Sequence, residues 1–79
     1  MDKNLDDFHD EIMRHSVSDF IARNYEFNVS FPIFLKWAHH GTKYRLHAAQ
    51  VGFEVLIMSR SLSRKDTSLV RSELKKIIE

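Results

Sequence analysis

"KYRLHAAQVGFEVLIMSRSL", residues 43–62, carries its apolar side chains on two stripes rather than one. On a helix, Leu46, Ala49, Phe53, Leu56 and Ile57 form the first stripe. Tyr44, Ala48, Val51, Val55, Met58 and Leu62 form the second. An apolar surface that wide is covered on two sides, so this segment is expected to be the central element. Gly52 lies in its middle, where glycine costs about 1 kcal/mol relative to alanine. Its presence points to a neighbour that approaches closely. Thr42 stands where an N-cap belongs. Gly41, before it, is expected to end the preceding helix in a left-handed cap.

Upstream of Gly41, Ser30 precedes a short helix with Pro32 tolerated in its first turn and with Phe31, Phe34 and Trp37 facing one way. Before that, "YEFNVSF", residues 25–31, alternates Tyr25, Phe27, Val29 and Phe31 against Glu26, Asn28 and Ser30. That is strand period, and a short extended segment is expected at 25–31. With no second strand in the chain, its edges would stay unpaired. The balance favours a homodimer in which Tyr25, Phe27, Val29 and Phe31 of two copies pair about a two-fold axis. The alternative is a connector with a solvated backbone.

The N-terminal segment, about Leu5 to Asn24, reads as a helix capped by Asn4 or Asp2. Its apolar positions drift from Leu5, Phe8 and Ile12 round to Met13, Val17, Phe20 and Ile21. Such a helix either touches two neighbours or breaks near Ser16, where a new capping box would begin. Downstream, "SRSLSRKD", residues 59–66, is a polar turn, and Asp66 or Thr67 starts a last helix with Val70, Leu74, Ile77 and Ile78 inward. The expected fold is all-α: three to four helices in one domain, residues 1–79, around the helix at about 43–62.

Composition narrows the function. The 79-residue chain is 43% hydrophobic and 11% aromatic, as expected of a chain that folds. It has no cysteine, which excludes a disulfide framework and thiolate zinc ligands. The longest apolar run, Val55 to Met58, is far below the roughly 18–20 residues that cross a bilayer. "MDKNLDDFHD" is acidic where a secretory signal is basic and then apolar, so a cytoplasmic location is expected, with no membrane partner. Net charge is +1, but residues 1–26 hold seven acids against three bases and residues 27–79 nine bases against four acids.

Three histidines, His39, His40 and His47, crowd the joint "HHGT". Adjacent helical residues point about 100° apart, and no acid lies between Phe27 and Gln50. His39 and His40 are read as helix-end residues meeting free carbonyls, with no metal and no cofactor expected. "DDFHD", residues 6–10, has the spacing of an aspartate-rich magnesium motif, but the chain has no second acidic motif and no room for a large cavity. An acidic helix start is the better reading. No phosphate loop, nucleophile elbow or paired-carboxylate motif occurs, and no catalytic activity is expected. The candidate partner-binding face is basic: Lys36, Lys43 and Arg45 about the joint, Arg60, Arg64 and Lys65 about the next turn.

From Phe34 to Arg60 the chain reads Phe34-x2-Trp37, Gly41-x2-Tyr44, then Gln50-x2-Phe53-x2-Leu56-x3-Arg60. This resembles a pattern in small proteins of tailed phages and prophages, with Phe53 and Leu56 standing where those proteins usually carry tryptophan. The resemblance implies a phage or prophage origin and action by binding a host protein in the host cytoplasm. It implies no site residues. The second expectation is a small nucleic-acid-binding protein using the same basic face.

Overall fold

The structure, a computed structural model, describes residues 10–78. Four helices follow one another: α1 (Glu11–Asn24), α2 (Phe27–His40), α3 (Lys43–Ser59) and α4 (Arg64–Ile78). No strand occurs among the described residues. The fold is all-α, and α3 is its centre: α1, α2 and α4 all pack on it, while α1 and α4 do not touch each other. Ala22 from α1, Phe34 from α2, Ala49, Phe53 and Leu56 from α3 and Val70 from α4 share one buried core.

Cross-contacts fix the directions. Ser18 Oγ donates to the Ala48 carbonyl at 2.8 Å, and Arg60 at the far end of α3 reaches the Tyr25 carbonyl at the end of α1. The two helices therefore run parallel. Arg45 lies over Trp37, and the Phe34 ring covers Gly52, so α2 runs antiparallel to α3. His39 near the end of α2 meets Glu73 in the second half of α4, which brings α4 back toward the α2–α3 joint.

The close approach expected at Gly52 is present, and α2 supplies it. A Cβ on Gly52 would stand 2.4 Å from the Phe34 ring. Small side chains do the same along α1 and α3, where Ser18, Ala22, Ala48 and Ala49 are fully buried. Of the second stripe, Ala48 and Val51 are buried, but Met58 is 81% exposed.

The extended segment expected at 25–31 is a helix from Phe27 onward; only Tyr25 and Glu26 are extended. The Glu26 carbonyl accepts from Val29 N and Ser30 N, both at 2.9 Å, and this starts the helix. Seven residues are too few to separate the two periods. Phe27 and Phe31 are two steps of alternation apart and also one helical turn apart. Extended by Phe34, they make a helical stripe: Phe27 stacks on Phe31 at 5.0 Å, and Phe31 and Phe34 each meet Phe53 at 5.7 Å. Tyr25 and Val29 are exposed, off that stripe. The four residues do not share a face, and the strand-paired homodimer loses its basis.

Pro32 accordingly lies inside α2 and not in its first turn. The amide it lacks would have met the carbonyl of Asn28, an exposed residue whose carbonyl water can serve. Ser30 does not cap; it is buried, and its hydroxyl has no hydrogen-bond partner among the described residues.

Other boundaries shift for local reasons. Asp10 caps α1, its Oδ1 accepting from Ile12 N at 2.8 Å and Met13 N at 3.3 Å, so the described helix starts at Glu11 and not near Leu5. It runs unbroken through Ser16. Asn4, Asp2 and residues 6–9 of the acidic motif lie outside the described residues. Helix α3 stops at Ser59, short of Leu62, where Arg60 turns extended. Helix α4 starts at Arg64, ahead of Asp66, because Ser63 Oγ accepts from Asp66 N at 3.0 Å.

Candidate interaction surface at the α2–α3 joint

Two helices meet here with almost no connecting chain. Gly41 closes α2 by donating to the Trp37 carbonyl at 3.2 Å, and Thr42 opens α3 by accepting from Arg45 N at 3.3 Å. Gly41 is not left-handed; its backbone is extended, at φ −95° and ψ 177°. Glycine serves a different need. A Cβ there would lie 2.6 Å from the Trp37 carbonyl oxygen and 2.7 Å from Arg45 Cβ. The elbow is therefore tight enough that Arg45 folds back over α2.

The result is a shallow recess lined by Lys36, Trp37, His40, Gly41 and Arg45. The Arg45 guanidinium sits 5.9 Å above the Trp37 ring, and the Lys43 ammonium sits 5.3 Å from the Tyr44 ring centre. Lys36, His40 and Lys43 are exposed, while Trp37 and Arg45 are half-buried. No carboxylate lines the recess among the described residues. Nearby, Glu73 of α4 is engaged by His39 at 3.0 Å and by Lys76 at 3.4 Å. Lys76 thus joins the cationic end from a third helix, which sequence reading missed because nothing local tells where α4 ends in space.

The three histidines go three ways. His39 binds Glu73. His40 lines the recess. His47 Nδ1 accepts from Arg14 Nε at 2.9 Å and meets His15 edge-on at 5.6 Å. Among the described residues, no three His, Cys, Asp or Glu side chains converge on one point.

The six basic residues do not form one face. Lys36, Lys43 and Arg45 gather at the joint. Arg64 and Lys65 lie beyond the other end of α3, whose 17 residues span about 25 Å. There Arg64 lines a separate shallow recess with Thr67, Ser68 and Arg71 on α4. Arg60 turns inward, donating from one guanidinium nitrogen to the Ala22 carbonyl at 3.1 Å and the Tyr25 carbonyl at 2.7 Å. It closes the end of α1. Hydrogen bonds to a charged donor contribute about 1.5–3 kcal/mol, and this donor is partly exposed. Arg60→Met is therefore expected to lower stability by about 1–2 kcal/mol, measured by urea denaturation, with α1 fraying first by hydrogen exchange. An unchanged midpoint would return Arg60 to the surface set.

Comparison with protein-family models, curated proteins and solved structures gave no match.

Proposed function

We propose that this chain is a small non-enzymatic binding protein working through protein–protein contacts, a phage or prophage accessory factor directed at a host protein in the host cytoplasm. The joint carries the reading. Its cationic side chains, Lys36 and Arg45, stand around a half-buried indole in a recess beside a tight glycine elbow. Arginine and tryptophan together are enriched where protein surfaces bind each other. The phage assignment rests on the Phe34–Arg60 pattern alone.

Nucleic-acid binding is the second reading, favoured by Lys36 and Arg45 beside the Trp37 ring and by Lys43 over the neighbouring Tyr44 ring. One experiment separates the two. The tagged chain is incubated with bacterial lysate, with and without nuclease treatment, beside the double variant Lys36→Glu/Lys43→Glu. Recovery of one host protein in stoichiometric amount by the parent chain, and its loss with the variant, is the expected result. Recovery that disappears on nuclease treatment would move the assignment to nucleic acid.

A further inference from the structure

We infer that the outer face of α4 is a docking surface for the phosphate walls of duplex DNA, separate from the joint and independent of the protein-binding reading. Helix α4 packs mainly on α3, touches α2 narrowly and does not touch α1, and Val70 is its one fully buried residue. One side of it is therefore free along its whole length.

What stands on that side follows from a helical turn of about 100° per residue. Arg64, Arg71 and Lys75 fall in one row along the axis, and Lys65 and Lys76 in a second row about 100° round. Ser68 and Ser72 lie between the rows. All of these side chains are exposed, while Val70, Leu74 and Ile77 on the opposite side pack into the core. Lys76 reaches Glu73 at 3.4 Å, but Arg64, Lys65, Arg71 and Lys75 hold no ion pair among the described residues. The acids of the helix, Asp66 and Glu73, are half-buried and stand about half a turn from the first row. Glu73 is also engaged by His39.

Three features select the partner. The first is length. Fifteen residues span about 22 Å, and the cations run from the first turn to the last. A polyanion charged at every repeat matches such a track. The second is width. The major groove of B-form DNA, about 12 Å across, admits one α-helix. The two cationic rows then meet the phosphates of the two walls, and Ser68 and Ser72 face the base edges between them.

The third is what the face lacks. It carries no aromatic ring, so it offers a single strand no stacking platform and a protein partner no aromatic anchor. Its exposed apolar residues, Leu69 and Ile78, stand at opposite margins, and the apolar stripe that would seat a helix in a lipid surface is committed to the core.

The full chain is titrated at low salt into a short labelled DNA duplex and followed by fluorescence anisotropy. Competitors of matched charge are duplex RNA, oligothymidylate, polyglutamate and vesicles of phosphatidylserine in phosphatidylcholine. Binding is expected, with affinity falling against salt at a log–log slope of about −3.5 to −4.5, for four or five phosphates contacted. Arg71→Gln/Lys75→Gln should make the slope shallower by about 2. The same change should weaken binding about tenfold, at up to about fivefold per exposed pair, with an unchanged helical circular-dichroism spectrum. Lys36→Gln/Lys43→Gln removes equal charge at the joint and should keep the slope and stay within about twofold. Duplex RNA, whose major groove is too narrow for a helix, should compete several-fold less well than unlabelled DNA duplex.

Equal losses from the two double variants would reduce the effect to net charge and overturn the inference. Competition by duplex RNA, oligothymidylate, polyglutamate or the vesicles as strong as that of the DNA duplex would overturn it in favour of that partner. Absence of binding at low salt would remove the surface altogether.

Discussion

Replacing Phe53 by alanine is expected to lower the unfolding free energy by about 3–5 kcal/mol. Phe53 is fully buried at the middle of α3 and meets both Phe31 and Phe34 at 5.7 Å between ring centres. Truncation removes its own transfer free energy. It also leaves a cavity that two rings on another helix cannot close without moving α2. A chain of this size has about 4–12 kcal/mol of stability in total, at roughly 0.05–0.15 kcal/mol per residue. The variant should therefore be partly unfolded at room temperature, and its urea midpoint should fall steeply at unchanged slope. A midpoint equal to the parent's would show that the α2–α3 seam does not hold the molecule together.

Gly52→Val should cost about 2–3 kcal/mol, even though it removes a glycine from a helix. On an exposed helix the change is favourable by a few tenths of a kcal/mol. Here the new Cβ would stand 2.4 Å from the Phe34 ring, which is itself fully buried and wedged against Trp37 and Phe53. Overpacking therefore outweighs propensity. The cause can be isolated by a double-mutant cycle. In a Phe34→Ala background the same valine has room, and the pair should be less destabilised than the sum of the singles by at least about 1 kcal/mol. Additive losses would place the clash elsewhere.

Gly52 also shows what was legible. Its helix was readable because seventeen residues sample several turns, and two stripes persist only if the period is helical. The glycine in the middle foretold a close neighbour, though not which one. At 25–31 the same method failed, since seven residues fit both periods and the deciding residue, Phe34, lay outside the window. Gly41 was assigned its commonest role, a left-handed cap, when its actual constraint is a carbonyl and a Cβ pressed against it.

The candidate site was half legible. Lys36, Lys43 and Arg45 are near in sequence because one tight elbow holds them, and so they are near in space. Arg60, Arg64 and Lys65 looked like a continuation, but the length of α3 carries them to the other end. The inward turn of Arg60 depends on where α1 stops, which no residue near Arg60 encodes. Lys76 arrived from a distant part of the chain for the same reason.

The two outer helices, α1 and α4, share no contact and are linked mainly through α3, with narrower contacts of each to α2. Changes on separate surfaces with no common partner combine additively, within about 0.3–0.5 kcal/mol. A lineage carrying this fold can therefore rewrite the outward side of α1 without a matching change on α4, and the reverse. The buried residues of α3, Ala48, Ala49, Phe53 and Leu56, have each substitution checked from several directions at once. Among descendants, packing alone lets sequence drift fastest on the two flanks, independently of each other, and slowest along the helix between them.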